Sequence, residues 1–213
     1  MRARINQYLS SRYAKPIAFF LGVLPFIWLL TAAVMDWLGA NPAEALERSS
    51  GDWTLRMLCV VLAITPLRTI AKLPSLAKFR RMAGLFVYFY AVLHLLAYSW
   101  FDMGFDVAEI VKDIIKRPFI LVGFIAVVLL TPLALTSFNR AIKALGGKRW
   151  QLLHKLVYVV AILAVVHFFW MRAGKNDFAE VAVYAVILGS LLGWRVAQAI
   201  KKIRLKPPSV LGI

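Results

Sequence analysis

The chain has 213 residues, of which 62% are hydrophobic and 17% are charged, and its formal net charge is +16. Soluble domains are roughly 45–50% apolar and about 25% charged, so this composition is that of an integral membrane protein. The length allows a single domain, to which we assign residues 1–213. Because the basic residues lie in short loops between apolar stretches, the positive charge indicates membrane orientation and argues against nucleic-acid binding.

Six apolar stretches predict the fold. Most are near the roughly 20 residues that an α-helix needs to cross the hydrocarbon core of a bilayer. The second stretch is the weakest, because Pro66 and Arg68 interrupt it. We therefore predict an all-α bundle of six transmembrane helices, at about 16–38, 53–70, 82–101, 118–137, 150–171 and 179–200.

The loops alternate in charge, and this alternation predicts the orientation. The N-terminal segment, the second loop, the fourth loop and the C-terminal tail, in which we place Arg195, contain basic residues but no acid. All the acids, from Asp36 to Glu180, lie in or beside the other three loops. Since positive loops stay on the cytoplasmic side, we predict that both termini are inside and that loops one, three and five are outside.

Residues 105–117 differ from the spanning stretches. Their apolar side chains recur at helical spacing, and charged side chains occupy the other faces. This pattern predicts a short amphipathic helix that lies on the outer membrane surface. Its acids are either solvated charges or docking residues for a partner: Asp106, Glu109 and Asp113.

All three histidines of the chain lie inside apolar stretches, where an ionisable side chain indicates a functional site. His94 lies late in the third predicted helix and His167 late in the fifth, and the two helices run in the same direction. Both histidines should therefore reach a similar depth in the outer half of the membrane. Two imidazoles at one level can ligate one haem iron from both sides, an arrangement that permits electron transfer.

His154 precedes His167 by thirteen residues, so it lies about 20 Å closer to the cytoplasm at 1.5 Å per residue. It cannot bind the same iron, and we predict that it serves a second, inner haem or a quinone site. Both histidines face one seam only if helix tilt or local distortion turns them. A histidine that hydrogen-bonds a neighbouring helix remains an alternative for each position.

Two other kinds of site are less favoured by the sequence. A zinc site needs four ligands, and the outer half offers no cysteine and no nearby acid except Asp102. A proton-coupled transporter is the main rival function, but we expect no buried carboxylate inside the predicted helices beyond the boundary residue Asp36. A membrane scaffold without a cofactor is a third possibility.

Transmembrane histidines on the third and fifth helices resemble the pattern of ferric reductase and NADPH oxidase membrane domains, in which paired histidines bind two stacked b-type haems. Within that superfamily, five segments resemble the MsrQ family, the haem-binding membrane subunits of periplasmic methionine sulfoxide reductase systems. These segments are TPLR (65–68), FRRMAGL (79–85), HLLAY (94–98), KRPFILVG (116–123) and RWQLLHKLVY (149–158).

The resemblance implies a b-type cytochrome subunit of the bacterial inner membrane, with one or two haems b and an associated FMN. It implies that quinol, or a cytoplasmic flavin reductase, supplies electrons to a membrane subunit that is not catalytic alone. The implied acceptor is a periplasmic molybdopterin-containing subunit, which reduces methionine sulfoxide in oxidised proteins. Only about 13 residues follow the sixth stretch, so we expect no flavin and nicotinamide domain in this chain.

The chain departs from the superfamily at the inner site. The superfamily has two histidines fourteen residues apart on the third helix, and Arg80 stands fourteen residues before His94. Arginine stays protonated and is a poor iron ligand, so Arg80 is either a cytoplasmic anchor or a partner for a propionate or phosphate. Arg68 and Arg149 are further cationic candidates for an FMN phosphate, although the sequence contains no flavin motif.

Overall fold

The computed structural model describes residues 1–174 and 176–205, in which every regular element is helical. Six segments of this described part are long and apolar enough to span a membrane, which confirms the predicted all-α bundle. The α-helices are α1 (Arg2–Ser10), α2 (Ala14–Val34), α3 (Pro42–Ile70), α4 (Arg80–Ala97), α5 (Val107–Lys116), α6 (Pro118–Leu135), α7 (Asn139–Leu145), α8 (Gly147–Leu153), α9 (Leu156–Ala173) and α10 (Ala179–Arg204). A 3-10 helix (Pro74–Phe79) precedes α4, and a π-helical turn (Tyr98–Asp102) follows it.

The start of the second spanning helix was predicted wrongly. Helix α3 begins at Pro42 and not near residue 53. The Asn41 side chain caps it by accepting a hydrogen bond from the backbone N–H of Glu44 at 3.2 Å, and proline at the first helical position favours the start. The first three turns of α3 carry three acids and Arg48, which gave this segment the hydropathy of a loop.

Helix α3 packs along α4, and α6 packs along α9, so the bundle contains two helical hairpins that meet where α4 contacts α6. Helix α10 packs against α3 and α9. The buried core joins residues of all five helices, among them Leu58, Val87, Leu130, Val160 and Leu188. This packing sets the two histidine-bearing helices, α4 and α9, on opposite sides of the bundle interior.

Arg195 lies inside α10 and not in the inner tail to which its charge assigned it. Pro66 has no N–H, so the carbonyl of Leu62 lacks its donor within α3. The Nη2 of Arg195 donates to that carbonyl at 2.6 Å, and its Nη1 donates to the carbonyl of Leu191 at 2.8 Å. The guanidinium also lies over the ring of Tyr158, 5.5 Å from its centroid. Arg195 thus replaces the hydrogen bond that Pro66 removes and ties α10 to α3.

The predicted amphipathic helix is confirmed as α5. The Asp106 carboxylate caps it by accepting hydrogen bonds from two backbone N–H groups, at 2.9 and 3.1 Å. Asp113 accepts a hydrogen bond from the Tyr98 hydroxyl at 2.7 Å and another from Nε of Arg117 at 2.6 Å. The Arg117 guanidinium holds the pKa of Asp113 below its ordinary value. Two of the three candidate docking acids therefore also stabilise α5 and its contact with the π-helical turn that follows α4.

Candidate functional site

His94 and His167 lie close together in the bundle interior. Their ring centroids are 6.2 Å apart, and the ring planes cross at 74°. Both side chains line one cavity of about 310 Å³, enclosed mainly by α3, α4, α6 and α9. The sequence placed these histidines at a matching depth, and the structure brings their rings within reach of a single bound atom.

Each of these histidines is oriented by a backbone carbonyl of the preceding spanning helix. Nδ1 of His94 lies 2.8 Å from the carbonyl oxygen of Glu47, and Nδ1 of His167 lies 2.7 Å from that of Phe119. A carbonyl oxygen can only accept a hydrogen bond, so Nδ1 is the donor in both rings. Each neutral imidazole therefore keeps the Nε2 lone pair available for a metal, as the partners of metal-ligating histidines usually ensure.

A glycine lies beneath each of the two rings. A Cβ atom added to Gly51 would lie 3.2 Å from Nδ1 and Cε1 of His94. One added to Gly123 would lie 2.9 Å from the same two atoms of His167. Sequence reasoning missed both glycines. The signal that was available is the nearly equal spacing of residues 51 and 94 and of residues 123 and 167.

One end of the cavity is charged, and half-buried acids there correct the prediction that the helices contain no buried carboxylate beyond Asp36. Glu47 and Asp52 of α3 line the cavity together with Asp102, so Asp102 is not the only acid near the histidines. Three arginines line the same end: Arg48, Arg117 and Arg172. The other end is apolar, with Val127, Leu130 and Val160 in its wall.

Arg172 is the most buried of these cations, since only 6% of its surface is exposed. Its guanidinium donates to Glu180 at 2.6 Å and to Asp177 at 3.2 Å, and it lies 5.3 Å from the ring centroid of Phe168. Glu180 also approaches Arg48 at 3.9 Å. These contacts join α3, α9 and α10 at the charged end of the cavity.

The two histidines do not complete a zinc site with the nearby acids. Within the described residues, no group of three or more histidine, cysteine, aspartate or glutamate side chains is arranged to hold a metal ion. Structural zinc needs four such ligands, and catalytic zinc needs three. A pair of opposed imidazoles instead suits a group that supplies its own equatorial ligands.

His154 occupies a different part of the molecule, outside the lining of this cavity. It lies at the break between α8 and α9, where the backbone turns through i to i+3 hydrogen bonds. Its ring packs on Trp150, with centroids 3.9 Å apart, and Arg80 is close enough to interact with it electrostatically. The His154 Nδ1 is buried and finds no hydrogen-bond partner among residues 1–174 and 176–205.

The other predicted cationic site residues are on the surface. Arg80 begins α4, Arg68 lies in the last turn of α3, and Arg149 lies in α8, and all three are exposed. Arg80 is the one among them that interacts with a histidine. The structure thus brings together His154 and Arg80, and separately His94 and His167.

Comparison with known proteins identifies the family. Residues 50–165 match the family described as ferric reductase like transmembrane component. The protein-methionine-sulfoxide reductase heme-binding subunit MsrQ of Polaromonas naphthalenivorans is 72% identical over 191 residues, which cover 90% of this chain and 87% of the relative. The MsrQ proteins of Herminiimonas arsenicoxydans and Ralstonia nicotianae are 52% and 49% identical, each over 88% of this chain and 86% of the relative. The chain belongs to the MsrQ family.

The family assignment confirms the resemblance predicted from the sequence. The matched ferric reductase region of this MsrQ family member contains Gly51, His94, Gly123 and His154 and ends just before His167. No solved structure matches the chain.

Proposed function

We propose that this chain is the haem-binding membrane subunit of a methionine sulfoxide reductase system and that His94 and His167 ligate the iron of a haem b. The relatives carry the name heme-binding subunit of a protein-methionine-sulfoxide reductase, which supports the cofactor class and the partnership. The observation that carries the assignment of ligands is the pair of neighbouring imidazoles, 6.2 Å apart, whose Nδ1 atoms are used by backbone carbonyls and whose Nε2 atoms are left for a metal.

The separation of the rings fits two axial ligands of one iron. A bond from an imidazole nitrogen to a metal is about 2 Å, and the nitrogen lies roughly 1 Å from the ring centre, which separates two opposed ring centres by about 6 Å. The observed separation is 6.2 Å. The apolar wall formed by Val127, Leu130 and Val160 suits the faces of a porphyrin.

The residues of the chain would prepare the site for electron transfer and not for substrate binding. A haem held by His94 and His167 would supply a one-electron carrier. The carbonyls of Glu47 and Phe119 hold His94 and His167 in the required tautomer. The chain therefore moves electrons within a complex and is not catalytic alone.

We further propose the direction of transfer. Electrons would enter from quinol or a cytoplasmic flavin reductase at the inner face of the bacterial inner membrane, where His154 and Arg80 form a second site. The unpartnered Nδ1 of His154 supports a ligand there. Electrons would leave at the outer face to a periplasmic molybdopterin-containing subunit that repairs oxidised proteins. FMN is a proposal from family resemblance, with Arg68 and Arg149 as exposed cations for its phosphate.

The test of the outer site is a reduced-minus-oxidised absorption spectrum of the purified protein. We expect His94→Ala and His167→Ala each to abolish the low-spin signal of the outer haem while the protein still folds. His154→Ala tests the inner site separately, because it removes an imidazole outside the cavity and should leave the outer haem signal in place. Full retention of the spectrum in both cavity variants would exclude these ligands.

One observation favours a second function. Glu47 and Asp52 line the same cavity as the histidines, and intramembrane carboxylates are typical of proton-coupled transporters. The same spectra decide between the two functions. A protein that shows no visible chromophore after expression with added haem would be a transporter or a scaffold.

A further inference from the structure

We infer that Gly51 and Gly123 are positioning residues that set the planes of the two axial imidazoles, an inference that rests on the proposed function. Both histidines are held by the same local arrangement on the preceding spanning helix. The ring lies over a glycine, and its Nδ1 donates to the carbonyl four residues before that glycine, namely Glu47 before Gly51 and Phe119 before Gly123. We call each arrangement of ring, glycine and carbonyl a cradle.

The cradles leave no room for a side chain under the rings. At Gly123 an added Cβ would lie 2.9 Å from Nδ1 and Cε1 of His167, a separation that real Cβ atoms essentially never show. At Gly51 the corresponding distance to His94 is 3.2 Å, which a shift of a few tenths of an ångström relieves. Alanine would therefore push each ring away from the helix that carries its carbonyl acceptor. The displacement should be larger at Gly123.

Moving a ring within its cradle changes the chemistry of a bound iron. The planes of His94 and His167 cross at 74°. Nearly perpendicular axial imidazoles keep two of the iron d orbitals almost equal in energy, which gives the ferric low-spin centre a highly anisotropic electron paramagnetic resonance signal. Rotation toward parallel planes separates these orbitals and makes the signal rhombic. Loss of the Nδ1 hydrogen bond also lowers the basicity of the ligand and changes the midpoint potential.

Helical glycines elsewhere in the bundle vary in how closely they pack, from Gly22, where an added Cβ would lie 2.4 Å from the Phe86 ring, to positions with open space. Gly193 in α10 has nothing within 4 Å of an added Cβ, and Gly84 in α4 meets only a methyl group of Val61 at 3.9 Å. Alanine is favoured over glycine within a helix to a similar degree at all these sites. Gly84→Ala and Gly193→Ala are therefore matched controls for Gly51→Ala and Gly123→Ala.

The experiment compares the four alanine variants as purified, haem-loaded full-length proteins. We measure haem content, the ferric paramagnetic resonance spectrum and the midpoint potential of each. We expect Gly123→Ala to change both the spectrum and the potential and to retain haem about tenfold less tightly, as loss of an outer partner of a ligand does. Gly51→Ala should produce a smaller change in the same direction, and both controls should match the parent protein.

The outcomes separate this inference from the proposed function. If Gly123→Ala and Gly51→Ala keep the parent spectrum and potential and differ only in thermal stability, the glycines are structural and the inference is wrong. If Gly123→Ala fails to fold, the milder Gly51→Ala decides alone. A different result would contradict the proposed function, namely an unchanged haem signal in both His94→Ala and His167→Ala.

Discussion

The outer and inner halves of the bundle hold their histidines in different ways. In the outer half, as the loop charges orient the chain, His94 and His167 occupy equivalent cradles on neighbouring hairpins. In the inner half, His154 lies at a helix break, packed on Trp150 and close to Arg80, with its buried Nδ1 unpartnered in the described part of the chain. One site is symmetric and orients both rings before any ligand binds. The other supplies one imidazole and a cation.

This difference bears on how each of the two proposed sites would receive a cofactor. A ring that is fixed by a hydrogen bond and by contact with a backbone is already in its bound orientation, so little ordering is left for the cofactor to impose. A ring without a partner leaves a polar atom unsatisfied until a ligand or a water molecule arrives. The outer site should therefore be the more rigid one, and the inner site the more responsive to what binds there.

The largest effect that separates the two sites should come from His154→Ala. This variant removes the histidine of the proposed inner site and leaves both cradles intact. We expect the rate of reduction by quinol to fall about tenfold or more, since loss of a ligand should exceed the roughly 10–100-fold effect of losing its outer partner. The outer haem should still be reduced by dithionite.

Stopped-flow reduction of the purified protein measures both rates in one preparation. Trp150→Phe is a suitable control, because it keeps an aromatic ring against His154. If quinol reduced His154→Ala at the parent rate, His154 would have a structural role and not a ligand role.

The sequence predicted the six spans and the matched depth of His94 and His167, because both follow from helix length and direction. It did not predict the early start of α3. Hydropathy averages over all faces of a helix, and the charged side chains of Glu47 and Asp52 face a cavity that only the fold creates. The sequence did not predict the roles of Gly51 and Gly123 for a similar reason. A helical glycine carries no functional group, so its role is visible only when the fold places a histidine ring against it.

The second largest effect should be a loss of folding stability when Arg195 is replaced. Arg195→Met keeps much of the side-chain volume but removes the donor to the Leu62 carbonyl, and it should lower the free energy of unfolding by about 1–2 kcal/mol. The outer haem spectrum should not change, because this contact lies far from the cradles. Unfolding in detergent, followed by circular dichroism, measures the loss.

A double-mutant cycle gives the control. In a Pro66→Ala background the restored backbone N–H can donate to the Leu62 carbonyl, so Arg195→Met should cost less there. Equal costs in both backgrounds would show that Arg195 does not act through this carbonyl.

A smaller effect on stability is expected from the ion pair between Arg117 and Asp113, which holds α5. Arg117 keeps the pKa of Asp113 below its ordinary value, so the folded state binds this proton less readily than the unfolded state. The stabilisation is complete above the ordinary pKa of about 4 and is lost as the pH falls through the lowered pKa. Asp113→Asn should lower stability at pH 7 by up to about 1 kcal/mol and remove part of the loss on acidification.

Thermal unfolding of the parent protein and of Asp113→Asn between pH 3 and pH 7 tests the direction of this pH dependence. The stabilities of the two proteins should converge as the pH falls. A constant difference across the range would show that the charge of Asp113 contributes nothing.

The smallest expected effect is on docking of the partner, and the structure changes how it should be tested. Replacing Asp106, Glu109 and Asp113 together would damage the cap of α5 and its ion pair with Arg117 as well as the surface charge. Asp106→Asn with Glu109→Gln removes two negative charges and keeps a residue that caps helices well. If α5 steers the partner electrostatically, this double variant should slow electron delivery to the periplasmic subunit a few-fold at low salt and little at high salt.

Haem content should be the same as in the parent protein, because neither residue lines the cavity. Lys112→Gln is the matched control of opposite sign, since Lys112 pairs with Glu109 on the same exposed face. Its removal should leave delivery unchanged or make it faster. Equal delivery rates for the parent and the double variant at low salt would exclude α5 as an electrostatic docking surface. The charged mouth of the cavity at Glu47 and Arg48 would then be the next surface to test, because it lies nearest to the paired histidines.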